Sequence, residues 1–190
     1  MVLSLQKRCL RTPRCVLGGF TLLEALVALT IVAVMLGLAV PNLSNLYAKH
    51  RLQAEVEGVL GSLLLARSEA IRRQQAVTVC PGTSLGCDPQ GSWSEGWLVF
   101  VDAKHNAQRD EGEALIETRE PMPAKVHMGL NTTVKAYFSY GPEGRSRSTT
   151  GAFMAGTWRF CRTDLPEGWQ VVSNALGKPR IEKYAVLQCP

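Results

Sequence analysis

Three patterns of apolar and polar residues follow one another along the chain. From Phe20 to Val40 nearly every residue is apolar, FTLLEALVALTIVAVMLGLAV, with Glu24 the one ionisable group. About 20 such residues are what a helix needs to cross a bilayer. After Pro41 the spacing turns helical: Leu43, Leu46, Leu52, Val56, Val59, Leu60, Leu63, Leu64 and Ile71 recur at intervals of three and four, with charged residues mainly between them. This predicts an amphipathic helix to about Gln74, which Pro41 bends rather than ends. Continuous from Phe20, it would reach roughly 80 Å at about 1.5 Å per residue.

From Ala76 the pattern becomes short apolar runs punctuated by turn residues. The predicted strands are Val77–Val79, Trp97–Val101, Ala114–Thr118, Lys125–Met128, Val134–Tyr140, Thr157–Cys161, Gln170–Ser173 and Arg180–Val186. Val134, Ala136, Phe138 and Tyr140 alternate as in a half-buried antiparallel strand. The expected fold class is α+β, a long N-terminal helix packed on an antiparallel β head. On the strand Trp97–Val101, Trp97, Val99 and Val101 share one face and Leu98 and Phe100 the other, as core residues do.

Charge refines the picture at the N-terminus. The chain of 190 residues carries 21 basic and 16 acidic side chains, a net +5, with mean hydropathy near zero. Residues 1–19 hold Lys7, Arg8, Arg11 and Arg14 and no acid; without them the balance is 17 against 16. Basic residues ahead of an apolar run keep the N-terminus cytoplasmic and export the downstream chain. No small-residue cleavage site of the ordinary secretory kind follows Val40. A plain signal anchor leaves Gly18-Gly19 and the acid at Glu24 unexplained.

Gly19-Phe20-Thr21-Leu22-Leu23-Glu24 resembles the class III signal of type IV prepilins and pseudopilins. The resemblance implies that a prepilin peptidase cuts after Gly19 and methylates Phe20, leaving Glu24 as the fifth mature residue. It also implies that Pro41 is the helix-bending proline of that family. A carboxylate in hydrocarbon costs roughly 2.5–3.5 kcal/mol; pairing Glu24 with a neighbouring subunit's amino terminus would offset this and set axial register. Trp93-Ser-Glu-Gly96-Trp97-Leu-Val-Phe100-Val-Asp102 resembles the Trp-x-x-Gly-Trp-x-x-Phe-x-Asp signature of the H group of minor pilins and pseudopilins, the FimU/FimT and GspH type. Ala66-Arg67-Ser68-Glu69-Ala70-Ile71 and Gly141-Pro-Glu-Gly144-Arg145 agree with it.

On this resemblance the chain divides into a cleaved leader (1–19), a transmembrane and filament-core helix (20–41), an amphipathic stem (42–75) and a β-rich head (76–190). The implied function is that of a minor type IV pilin, placed at or near the pilus tip to prime or support assembly for twitching motility or adhesion. Its partners would be the prepilin peptidase, major and minor pilins and the inner-membrane assembly platform. It would sit in the bacterial inner membrane with a periplasmic head and then in the pilus. An H-type pseudopilin of type II secretion obeys the same physics.

Removing the leader also removes Cys9 and Cys15 and leaves Cys80, Cys87, Cys161 and Cys189. An even number in an exported domain favours disulfides, and four cysteines allow three pairings. The expected pairs are Cys80–Cys87, closing a short Pro/Gly-rich loop, and Cys161–Cys189, tying the C-terminus to a strand. A zinc site lacks paired Cys-x-x-Cys spacing. His50, His105 and His127 are scattered, and no nucleophile motif surrounds them. No catalytic residue, metal or cofactor is expected.

DNA is the remaining candidate ligand. Residues 143–190 hold seven basic and four acidic side chains, whereas 102–124 hold three and six. Arg145 and Arg147 lie near a turn, and Lys178 and Arg180 flank Pro179. In FimT-like DNA-uptake pilins a Gly-Arg-x-Arg element contacts the phosphate backbone. The corresponding Gly177-Lys178-Pro179-Arg180 replaces one Arg fork with a Lys point charge. Glu182 weakens the local field.

Overall fold

The computed structural model describes residues 20–185 and 189, without the side chains of 38–42. The leader with Gly19, Cys9 and Cys15, the side chain of Pro41 and the expected strand end at Val186 lie outside the described residues. The chain divides into two compact units, residues 1–43 and 44–190.

Helix α1 runs Leu22–Arg73. In the first unit its large apolar side chains from Phe20 to Leu36 are exposed. Among the described residues no helix is long and apolar enough to cross a membrane; the expected span 20–41 extends into 38–42. In the second unit the buried stripe is Ala48, Leu52, Val56, Val59, Leu63, Ala66 and Ala70, at steps of four and three. The stripe predicted from large residues is therefore partly wrong. Leu43, Leu46, Leu64 and Ile71 are exposed, and three alanines take buried places.

The strands are β1 Val77–Thr83, β2 Gly86–Cys87, β3 Trp97–Val101, β4 Leu115–Arg119, β5 Val126–Leu130, β6 Phe138–Tyr140, β7 Gly156–Arg162, β8 Glu167–Ser173 and β9 Pro179–Ala185. One sheet has the order β2-β1-β3-β4, with β6 also paired to β1; the second has the order β5-β7-β8-β9. All pairings are antiparallel. The stem stripe, both sheets and the Trp93–Glu95 3-10 turn share one apolar core. A smaller cluster on the other face of β3 holds Leu98, Phe100 and Cys80.

The expected strand Val134–Tyr140 is corrected to β6 alone. Thr132–Val134 is a 3-10 turn, and Lys135 has helical backbone angles. The Lys135 carbonyl accepts a hydrogen bond from the Trp93 indole (2.9 Å) and so joins no ladder there. Val134 is still buried, so the alternation marked burial correctly and conformation wrongly.

A polar relay links stem to sheet inside this core. The Trp97 indole N–H donates to Ser62 Oγ (3.0 Å), which donates to Glu117 Oε2 (2.6 Å). At the stem's end Glu69 accepts from Arg72 (3.0 and 2.6 Å) and Arg73 (2.5 Å). Those bonds, Arg72 foremost, hold its carboxyl down to about 2. A depressed carboxylate stabilises the fold above its unfolded pKa, about 4.3, and loses that contribution as pH falls through the folded value. Both arginines are substantially solvated, so screening limits it to less than about 1 kcal/mol. Glu69→Gln should therefore remove a small loss of stability between pH 4.5 and 2, read by urea unfolding at each pH. An identical pH slope in the two proteins would show that the cluster contributes nothing.

Candidate functional site

The first region of interest is the start of α1. Thr21 sits just ahead of the helix, and its Oγ1 accepts from the Glu24 amide (3.2 Å). The Ala25 amide donates to the Thr21 carbonyl (3.1 Å). This is the N-cap geometry of a Thr-x-x-Glu sequence. Glu24 lies in the first turn, where the helix dipole favours a negative charge. The cap engages the backbone amide of Glu24, not its carboxylate.

The second region is the tryptophan signature. Trp93 closes a short turn capped by Ser92, and Gly96 follows at φ +113°, a conformation suited to glycine. A Cβ there would fall 2.5 Å from the Arg119 carbonyl, so β4 depends on this glycine to pass close by. Trp97 and Phe100 are buried on opposite faces of β3. Asp102 ends the signature fully buried, and its role is specific. Its Oδ1 accepts from the Asn106 amide (2.9 Å), and its Oδ2 from the Ala107 amide (2.9 Å) and the Thr78 hydroxyl (2.7 Å). The carboxylate folds the 103–107 loop around itself, with His105 and Ala107 at positive φ.

The third region collects the candidate DNA residues. Gly141–Gly144 forms a turn closed by the Gly144 amide on the Gly141 carbonyl (2.8 Å). A second turn is built by Asn174, whose Oδ1 accepts from the Leu176 and Lys178 amides (3.1 and 3.3 Å). The two turns touch: a Cβ on Gly177 would fall 2.5 Å from the Gly144 carbonyl. A Cβ on Gly144 would meet Ile71 and Arg67 of the stem. Thus the stem's Ala66–Ile71 stretch seats the first turn, and the first turn seats the second. These three segments are far apart in the sequence; paired left-handed glycines, Gly144 and Gly177, were the available signal.

This arrangement brings Arg145, Arg147 and Lys178, on the two contacting turns, near Arg180 at the start of β9, but with unequal freedom. Arg147 is bonded to Glu143 (2.5 Å) and the Gly151 carbonyl (3.0 Å), and lies 5.1 Å over the Phe153 ring. Arg147 bonding, ahead of other causes, also lowers the Glu143 carboxyl. Arg180 is bonded to Glu182 (2.7 Å), and bonds from Gln170 and Arg180 lower that carboxyl too. Arg145 and Lys178 are exposed, and among the described residues no ion pair joins either to a carboxylate.

Two disulfides complete the head, Cys80–Cys87 within the β1–β2 hairpin and Cys161–Cys189 from β7, each with Cα atoms 5.7 Å apart. Among the described residues no group of three or more His, Cys, Asp or Glu is placed to hold a metal.

Comparison with known proteins places this architecture. The family described as type II transport protein GspH matches residues 55–177, nearly two thirds of the chain. The chain belongs to the GspH family. That match covers the lower stem, the tryptophan signature and both contacting turns. The GspH-family chain is also similar to a pilin-like protein, PilA1, of Thermus thermophilus, at 40% identity over 95 residues. The similarity takes in 50% of this chain and 54% of PilA1, so the chain spans about half the length of that curated relative. In fold it is similar to the type IV minor pilin FimU of Pseudomonas aeruginosa, with a TM-score of 0.55, 17% identity, and coverage of 75% of this chain and 98% of that one. It is also similar to the minor pseudopilin EpsH of the Vibrio cholerae type 2 secretion system, with a TM-score of 0.50, 12% identity, and coverage of 73% and 99%. These likenesses establish the α+β pilin-like fold. As a GspH-family minor pilin or pseudopilin, the protein is a structural subunit and not an enzyme.

Proposed function

We propose that this GspH-family protein is a minor type IV pilin, processed by prepilin peptidase and incorporated at or near the pilus tip to prime or support assembly. The observation that carries the reading is the contrast along α1. Among the described residues its large apolar side chains from Phe20 to Leu36 are exposed, whereas the stripe from Ala48 onward is buried in the core of the second unit. A surface so apolar needs a bilayer or other helices around it. In this reading residues 1–19 are removed, 20–41 serve first the inner membrane and then the filament core, 42–75 form the stem and 76–190 present the head. Glu24 sets register against a neighbour's methylated Phe20, and Pro41 bends the helix at the membrane boundary. Major and minor pilins and the inner-membrane assembly platform are the partners.

The decisive experiment is intact mass after co-expression with a prepilin peptidase. The expected product lacks residues 1–19 and carries one added methyl group; a full-length unmodified chain would exclude the reading. Glu24→Val should be processed normally yet fail to enter sheared pili.

Two alternatives have their own support. The family's own description favours a type II secretion pseudopilin; co-purification with a secretion complex rather than pili would select it. The contact between the Gly144 and Gly177 turns, with exposed Arg145 and Lys178 beside it, favours DNA binding for uptake. Each phosphate neutralised on duplex DNA steepens the salt dependence by about 0.9 in log K against log salt. Arg145→Ala with Lys178→Ala should therefore flatten the slope by nearly two such contacts and abolish weak binding. An unchanged slope, or no binding at low salt, would remove DNA as a ligand.

A further inference from the structure

Beside the Gly144 and Gly177 turns stands an aromatic ring that the core does not use. Of the phenylalanines in the head, Phe100, Phe138 and Phe160 are completely buried, whereas Phe153 is 58% exposed. It closes a small hairpin over residues 146–154. There Arg147 pairs with Phe153, and the Ser148 amide donates to the Ala152 carbonyl (2.7 Å). Ser146 fixes where this hairpin lies. It is buried, and its Oγ is within hydrogen-bond distance of the carbonyls of Met154 (2.6 Å) and Asn174 (3.1 Å). The hairpin and the two turns are thereby tied together. Ser146 and Met154 are buried, so their neighbours Arg145, Arg147 and Phe153 share the outward face. Leu176, on the second turn, is also exposed.

The cations around this patch lack acids of their own. Glu143 is bonded to Arg147, Glu182 to Arg180, and Glu69 of the stem to Arg72 and Arg73. Among the described residues no ion pair joins Arg67, Arg145 or Lys178 to a carboxylate. Arg67 comes from the stem and lies under the first turn, where a Cβ on Gly144 would fall 3.2 Å from its Nε. It is half-buried, and it adds a third uncommitted positive charge to Arg145 and Lys178. Arg147 has a different use. Its charge is taken up by Glu143, and its guanidinium lies 5.1 Å from the centroid of the Phe153 ring. That contact braces the ring while most of the residue stays open to solvent. An exposed ring held in place in advance loses little freedom when a ligand covers it.

A ligand that suits both features is anionic and has flat apolar faces of its own. An acidic peptide would satisfy the cations and leave the ring without a stacking partner. Duplex DNA presents phosphates but keeps its base faces stacked inside. A single strand presents both, and aromatic side chains beside a basic surface are the general means of holding one.

We propose that the Gly144 and Gly177 turns, with the 146–154 hairpin, bind single-stranded DNA, a base stacking on Phe153 while the phosphates run past Arg145 and Lys178. The inference rests on the DNA-binding reading above and names the strand form that this surface takes. Arg67 supports the local positive potential from beneath.

The test uses the full chain, held in detergent, and fluorescence anisotropy of labelled oligonucleotides over a salt series. The probes are a thymidine strand, the same backbone without bases, and a duplex of equal length. The thymidine strand should bind roughly five- to a hundredfold more tightly than the abasic one, the factor expected for one stacked base. The duplex should bind more weakly than the thymidine strand. Phe153→Ala should remove the preference for bases and leave the salt slope unchanged, because the ring neutralises no phosphate. Phe153→Trp should keep the preference. Arg145→Ala/Lys178→Ala should weaken binding of all three probes and flatten the single-strand slope by about 1.4 in log K against log salt, at about 0.7 per phosphate. Equal binding of the thymidine and abasic strands by the native chain, or an unchanged preference in Phe153→Ala, overturns the stacking site and leaves DNA binding through phosphates standing. Tighter binding of the duplex than of the thymidine strand does the same. No binding of any probe at low salt overturns both the inference and the DNA reading beneath it.

Discussion

Trp158→Ala is expected to lower the stability of the head by about 3–5 kcal/mol, the range for deleting a fully buried large aromatic side chain. Trp158 lies on β7 in the second sheet and is completely buried. Its ring meets Phe138 of the first sheet at 5.2 Å and Trp93 at 5.8 Å, both edge to face. It therefore joins the two sheets as well as filling space. Gly156 shows how tightly it fits, since a Cβ there would fall 2.6 Å from the Trp158 ring and from Val134. No relaxation of one strand closes such a gap without shifting the other sheet. Its indole nitrogen has no hydrogen-bond partner among the described residues, so the loss is one of packing. Urea unfolding should give the stated loss for alanine and a smaller one for Trp158→Phe. Total stabilities of about 5–15 kcal/mol leave little margin against it. A loss below about 1 kcal/mol would show that the two sheets do not depend on this contact.

Asp102→Ala should cost about 3 kcal/mol, since three donors lose an ionised acceptor at once and such bonds are worth roughly 1.5–3 kcal/mol each before coupling. Thr78 has a second partner, Ser139 Oγ at 2.8 Å, and keeps it. The Asn106 and Ala107 amides keep none of theirs from this residue, and the 103–107 loop loses the group around which it folds. Asp102→Asn is the sharper test. It preserves size but turns an amide NH2 towards one or more N–H or O–H donors, so it should be nearly as destabilising as alanine. Hydrogen exchange should show the loop opening in both variants. Full stability in Asp102→Asn would mean that volume, not the carboxylate, is what the signature needs.

The chain pattern exposed some layers of this structure and hid others for definable reasons. The strand Trp97–Val101 was legible with its bounds because five apolar residues in succession, bounded by Gly96 and Asp102, suit a strand buried on both faces. The stem was legible as a helix but its buried face was not. Large residues signal burial, yet three of the seven buried places are held by Ala48, Ala66 and Ala70, whose small side chains carry little hydrophobic signal. The hairpin strand β2 is two residues long and carries no periodicity to read. The four basic residues near Gly144 and Gly177 were visible, and so was Glu182 beside Arg180, but the Glu143–Arg147 pair four residues apart was not read. Which local neighbour an arginine takes depends on its rotamer and on the turn that presents it. The approach of Lys125 and Lys183 to the stem was hidden altogether, since it arises only through tertiary packing.

The Cys161–Cys189 bridge has a mechanical consequence. Strands β8 and β9 lie between the two cysteines in sequence, and β9 stands at the edge of its sheet. Without the bridge, tension on the C-terminus would peel β9 from β8 one hydrogen bond at a time. With it, the pull bypasses both strands and enters at Cys161 on β7, which is flanked by β5 and β8. The other end of the load arrives through α1, packed across the shared core. A subunit drawn upon from both directions would thus carry force through its interior, and its outer hairpin would stay slack.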